Sequence, residues 1–185
     1  VLIDAALPQS VPLIERNLAT LGFSLADVRY VVNSHAHFDH AGGIAAIARR
    51  TGATVVASAW GAKALQSGAA LPGDPQHGYG DDMDFPPVAG PVKVMADGDT
   101  LSLGTLRLRM IATPGHTPGG SSWTWESCEG DDCRQLVFAD SLTPVSAPGF
   151  RFGTEDGERV REFRASVARV AALDCDVLVS AHPSV

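Results

Sequence analysis

Apolar and polar positions along the chain follow two periods, and each predicts a different element. From Val11 to Leu21 apolar residues recur at helical spacing, with Gly22 placed to end the helix. Val28 to Val32 reads as a buried strand, Ile44 to Arg50 as a helix of small apolar residues, Thr54 to Ala57 as a short strand and Ala59 to Gln66 as a helix. Between Ser67 and Gly90 the composition shifts to Gly, Pro and Asp, which predicts a long loop. Its Gln76, Tyr79 and Phe85 can either line a pocket or face solvent. Strand-like runs follow at Val92 to Met95, Leu106 to Ile111, Ser121 to Trp125 and Leu136 to Ala139, separated by turns such as Asp97-Gly98-Asp99. Ser141 to Gly157 is irregular. Glu158 to Leu173 then places Val160, Phe163, Val167 and Val170 on one helical face, and Val177 to Ser180 reads as a last strand. This order predicts an α/β fold, a sheet with helices outside it.

Composition narrows the partners. With 185 residues and 45% hydrophobic content the chain can bury a sizeable core, and one domain over 1–185 is the simplest expectation. A net charge of −7 argues against a nucleic-acid groove or an anionic membrane surface, leaving a small molecule as the expected partner of a monomer. No run approaches the roughly 18 apolar residues of a membrane span, and no basic-then-apolar leader opens the chain. Both ends read as cut, because Val1-Leu2-Ile3 is a strand already in progress and the chain stops three residues after His182. Cys128 and Cys133 flank a polar turn, where they can bridge a hairpin or remain two loop thiols. A bridge favours an oxidising compartment, which makes a periplasmic or secreted protein the expectation and leaves Cys175 without a partner.

The chemistry gathers in His35-Ala36-His37-Phe38-Asp39-His40, three imidazoles and a carboxylate directly after an apolar run. Nitrogen and carboxylate donors without a thiolate suit a borderline cation such as Zn2+ that keeps a position open for water. His116 and His182 each follow an apolar run at a turn, and of the six histidines only His77 lacks such a setting. Two metals can be accommodated: His35, His37 and His116 for the first, Asp39, His40 and His182 for the second. Water shared by two zinc ions has its pKa lowered to about 7 and can attack a carbonyl, with Asp39 orienting it and moving a proton.

The hexapeptide with His116 and His182 in order behind it resembles the metallo-β-lactamase superfamily, and the αββα sandwich is the fold that this implies. Pro114-Gly115-His116-Thr117-Pro118-Gly119-Gly120-Ser121-Ser122-Trp123-Thr124-Trp125, Ala139-Asp140-Ser141-Leu142 and Ala147-Pro148-Gly149 resemble the third subclass of the class B β-lactamases. The resemblance implies two Zn2+, hydrolysis of the β-lactam amide bond with carbapenems included, and antibiotic resistance as its consequence. It also implies Ser141 and Thr143 as hydroxyls for the substrate carboxylate and Gln76 as part of the pocket wall, although Ser141 and Thr143 also read as a turn-forming pair. Asp4-Ala5-Ala6 departs from the family, which more often has glycine after the aspartate. A glyoxalase II-like thioesterase or a lactonase is the nearest alternative, and in such an enzyme Asp140 would bridge both metals. A silent metal-binding module and a di-iron oxidoreductase are more distant readings, the latter usually needing a flavin domain.

Overall fold

The computed structural model describes residues 1–153 and 157–182. In chain order the elements are β1 (Leu2–Ile3), α1 (Val11–Thr20), β2 (Tyr30–Val32), α2 (Phe38–Ala41), α3 (Ile44–Thr51), β3 (Thr54–Ala57), α4 (Ala59–Ser67), β4 (Lys93–Val94), β5 (Thr100–Leu103), β6 (Leu106–Ala112), β7 (Ser121–Glu129), β8 (Asp132–Ala139), α5 (Glu158–Ala171) and β9 (Val177–Ser180). They form two sheets, a parallel one ordered β1-β2-β3-β4 and a second ordered β5-β6-β7-β8-β9. The second is antiparallel through β8 and closes with the parallel pair β8–β9.

Alternation along the central strands explains the layers. Val31 and Val55 point into a core shared with α1, α3 and α4, whereas Val32 and Val56 point the other way, onto Leu101, Leu108, Met110 and Trp123 of the second sheet. A strand buried on both faces must be apolar throughout, which is why the valine runs are continuous. The αββα sandwich follows, with both sheets facing one core and helices outside. Trp123 is fully buried in that core, so it contributes no surface to any pocket.

Three differences from the sequence pattern have local causes. The strand β5 was not predicted, because Thr-Leu-Ser-Leu between two turns is too short for its period to stand out. The β7–β8 hairpin continues beyond its apolar runs into exposed residues, where the Cys128–Cys133 disulfide joins directly paired positions. The stretch 67–90 is only partly loop-like. It contains a 3-10 segment at His77–Met83, and Phe85 and Val88 are buried in the helix-side core, their N–H groups donating to the Gly68 and Leu65 carbonyls. Phe85 is therefore a core residue and not a pocket wall. Residues 154–156 of the irregular stretch lie outside the described residues.

Candidate metal centre

Strand ends deliver the chemistry to one edge of the sandwich. His35 and His37 follow β2, His37 in extended conformation, and the single helical turn α2 then carries Asp39 and His40. His116 follows β6, and His182 follows β9 at the edge where Asp140 and Ser141 leave β8, since Ala139 and Ser180 are in register. The segment Asp4–Pro8 passes over the end of α2, with the Ala5 N–H donating to the His40 carbonyl at 2.8 Å. This close passage requires Gly42-Gly43, because a Cβ at Gly42 would run into Pro8 and one at Gly43 into the Ala5 carbonyl. Asp4 and Ala6 take left-handed backbone, φ 56 and 49, so the turn keeps its shape without the expected glycine.

Each of four buried imidazoles has one ring nitrogen anchored from behind. His35 Nδ1 meets Asp140 Oδ1 at 2.7 Å, His37 Nε2 meets Asp74 Oδ1 at 2.9 Å, and His40 Nδ1 meets Asp4 Oδ2 at 3.0 Å. His116 Nδ1 donates to the Thr143 carbonyl at 2.8 Å. An oxygen acceptor requires the hydrogen on the ring nitrogen facing it, which leaves the other nitrogen's lone pair for the interior. The donor atoms of His35, His37 and His116 lie within 4.8 Å of one another, as do those of His35, Asp39 and His40. His182 Nε2 is 3.0 Å from His40 Nε2 and 3.5 Å from Asp39 Oδ2. His35 Nε2 is buried without a hydrogen-bond partner, an orphaned lone pair that a cation would satisfy. The residues present thus fit a metal ion, with His35 common to both groups of donors.

Electrostatics favour neutral imidazoles at His35 and His116. Burial, followed by the neighbouring imidazoles, holds His35 well below its ordinary value, and burial with His37 beside it brings His116 down to about 4. Burial opposes the charge on His40 too, but its hydrogen bond to Asp4 and the charges of Asp4 and Asp39 outweigh it and raise the pKa. Burial pushes Asp140 up to about 7. With its imidazole partner lowered and itself raised, the His35–Asp140 contact has less ion-pair character than its 2.7 Å length suggests.

A cleft of about 250 Å3 opens onto the centre, lined by Phe38, Asp39, Gln76, His116, Thr143, Val145 and His182. Gln76 Nε2 stands 3.4 Å from His116 Nε2. Ser141 is buried close by with its hydroxyl unpartnered. Tyr79 is not in this wall; its hydroxyl donates to the Ser146 carbonyl at 2.8 Å. His77 stays outside the cluster on the Ala70 carbonyl, and Cys175 is an exposed free thiol. Sequence reasoning missed Asp4 and Asp74 as supporting carboxylates. Asp74 was hidden in a Gly- and Pro-rich run where carboxylates usually form turns, and the one available signal was that an aspartate follows β1 as the histidines follow their strands.

A family model described as the metallo-beta-lactamase superfamily matches residues 1–182. Among solved structures, the chain superposes with a TM-score of 0.93 and 48% identity on one titled the first B3 metallo-beta-lactamase with an active site glutamic acid, covering 98% of this chain and 67% of that one. MEM-A1, a subclass B3 metallo-beta-lactamase from a soil metagenome library, gives a TM-score of 0.91 and 46% identity over 98% of this chain and 69% of that one. A hydroxyacylglutathione hydrolase of Anaeromyxobacter dehalogenans (strain 2CP-C) is 30% identical over 142 residues, 77% of this chain. The chain spans only 44% of that relative's length.

Proposed function

The chain belongs to the metallo-beta-lactamase superfamily, and from that membership we propose that it is a zinc-dependent β-lactamase of the third subclass, opening the β-lactam amide bond, carbapenems included. One observation carries the metal assignment: four buried imidazoles present one ring nitrogen inward while the other is anchored behind. In this reading His35, His37 and His116 hold a first zinc ion and Asp39, His40 and His182 a second. The metal pair, when bound, supplies an activated water and a Lewis acid for the carbonyl oxygen.

The chain's own residues then have separate tasks. Asp39, with about a third of its side chain exposed, reaches both the half-site and the cleft, so it can hold a proton and pass it to the departing amide nitrogen. Gln76 and Thr143 line the cleft, where the Thr143 hydroxyl offers a donor to the carboxylate that β-lactams carry, and the Ser141 hydroxyl, buried in this structure, joins it by turning toward the cleft. The disulfide supports a periplasmic or secreted setting, and one monomeric domain over 1–185 completes the proposal.

The hydroxyacylglutathione hydrolase relative gives the thioesterase reading its support. That reading needs Asp140 between the two half-sites, whereas its Oδ1 lies behind His35, on the nitrogen directed away from the centre. Zinc-loaded protein is expected to hydrolyse a chromogenic cephalosporin and a carbapenem, and to stop when treated with EDTA. Turnover of a glutathione thioester or a lactone with neither lactam touched would replace the lactamase with the alternative.

A further inference from the structure

Both walls of the cleft are hydrogen-bonded to the first half-site. On one side Asp74 Oδ1 accepts from His37 Nε2 at 2.9 Å and from the Gln76 backbone N–H at 2.9 Å, so a single oxygen joins an inner imidazole to the turn that presents Gln76. On the other side the Thr143 carbonyl accepts from His116 Nδ1 at 2.8 Å. Farther from the centre the walls are tied together: the Ala147 N–H donates to the Pro75 carbonyl at 2.9 Å, and the Tyr79 hydroxyl to the Ser146 carbonyl at 2.8 Å. Neither 71–76 nor 141–148 forms helix or strand, so these bonds, together with local turns and an Asp74–Thr117 hydrogen bond, hold the loops in place. Asp74 is 5% exposed, which makes its bonds to His37 and Gln76 hard to exchange for water.

We infer that Asp74 is a positioning residue that couples metal occupancy at His37 and His116 to the order of the two cleft walls. This rests on the proposed metal binding. The coupling runs in both directions. Asp74 selects the Nε2–H form of His37 and so leaves Nδ1 free for a cation. A cation on Nδ1 in turn makes the Nε2–H a stronger donor, which tightens Asp74 and with it the amide of Gln76. By linkage, whatever factor the loop adds to metal affinity the metal adds to loop order. An empty centre thus has a loosened cleft, and loading the first site assembles the substrate walls as well as the chemistry.

Hydrogen exchange at the Gln76 and Ala147 amides, followed through a zinc titration of the full chain, reads the coupling without any substrate. Zinc is expected to slow exchange at both amides in the wild type. Asp74→Asn is expected to weaken zinc binding about 10–100-fold in competition with a chromophoric chelator, and to abolish the zinc-dependent protection at Gln76. His77→Ala removes only a neighbouring tie to the Ala70 carbonyl, 2.7 Å long, and is expected to keep wild-type zinc affinity. Equal losses in the two variants would reduce Asp74 to a brace for the loop and overturn the inference. Should Asp74→Asn fail to fold, the wild-type exchange data decide: zinc uptake with unchanged exchange at both amides refutes the coupling but not the metal site, and no zinc uptake refutes both.

Discussion

Replacing Asp4 measures how much of the centre is held from behind. Its carboxylate accepts from the Ser34 N–H at 2.7 Å, the Ser34 hydroxyl at 2.6 Å and Asn33 Nδ2 at 3.0 Å, and it faces His40 Nδ1 at 3.0 Å. In Asp4→Ala the Ser34 hydroxyl can rotate away, but the Ser34 N–H, one Asn33 amide hydrogen and the His40 Nδ1–H are left facing a void. An unsatisfied buried donor costs roughly 1–3 kcal/mol, and alanine in left-handed backbone about 1 kcal/mol more. Even the low end gives a loss of about 4 kcal/mol, a large share of the roughly 5–15 kcal/mol that holds a domain together. Asp4→Asn separates charge from shape, since asparagine tolerates the left-handed backbone. Its oxygen can serve Ser34 and Asn33, but its amide group then confronts His40 Nδ1. The imidazole must give up that proton and carry it on Nε2, the nitrogen that faces His182 at 3.0 Å. Asp4→Asn is therefore expected to lose only about 1–2 kcal/mol of stability and to bind the second metal about 10–100-fold more weakly, with the first unaffected. Urea unfolding of metal-free protein and zinc stoichiometry at graded free zinc read the two effects. Asp4→Ala within about 1 kcal/mol of wild type, or Asp4→Asn losing both metals equally, would refute this account of the backing carboxylate.

Acid should act on the metal-free protein through opposed groups. His116 falls from 6.5 to about 4 on folding. Between those values the unfolded chain takes up a proton that the native one refuses, so stability drops as pH falls, by on the order of 3 kcal/mol for this group; His35 acts in the same direction. Asp140, raised to about 7, binds a proton more readily when folded and resists that loss, whereas His40, also raised, gives its stabilisation above this window, as pH falls toward 6.5. Asp140→Asn removes the largest opposing group, so urea unfolding in EDTA should show a steeper decline from pH 6.5 to 4 in the variant than in the wild type, and equal slopes would contradict the assignment. Ser141→Ala is expected to raise KM for a carboxylate-bearing β-lactam about tenfold, the loss of one hydrogen bond to a charged group, with kcat and zinc content nearly unchanged; a fall in kcat alone would place the hydroxyl elsewhere. Phe85→Ala should cost roughly 3–5 kcal/mol in chemical unfolding, whereas a solvated loop residue would cost almost nothing. Replacing Cys128 and Cys133 by serine opens a loop with a sequence separation of 5, worth about 2 kcal/mol or less, and should leave zinc affinity untouched because the hairpin tip is exposed and the strands' other ends carry the site.

What the chain determines by itself is local. The valine runs of β2 and β3, the helices α1, α3 and α4, and the hexapeptide after Val32 are all legible, because an element buried on one or both faces must repeat its apolar residues at its own period; α5 is legible as a helix, but its expected apolar face is not the buried one, since Val167 is exposed and Ser166 buried. The six candidate ligands are legible for a related reason: histidines and an aspartate just past apolar runs stand where strands end. Asp4 and Asp74 acquire their roles only when strands far apart in the chain are brought side by side, since nothing in an isolated aspartate distinguishes a turn former from the acceptor behind a metal ligand. Phe85 shows the same limit from the apolar side, as its Gly- and Pro-rich surroundings suggest solvent while its ring fills the helix-side core. Folding also decides which nitrogen of each imidazole faces inward, because that depends on the oxygen behind it, and those oxygens come from residues just past β1 and β8 and from two loops whose only common property is where the sheets deliver them.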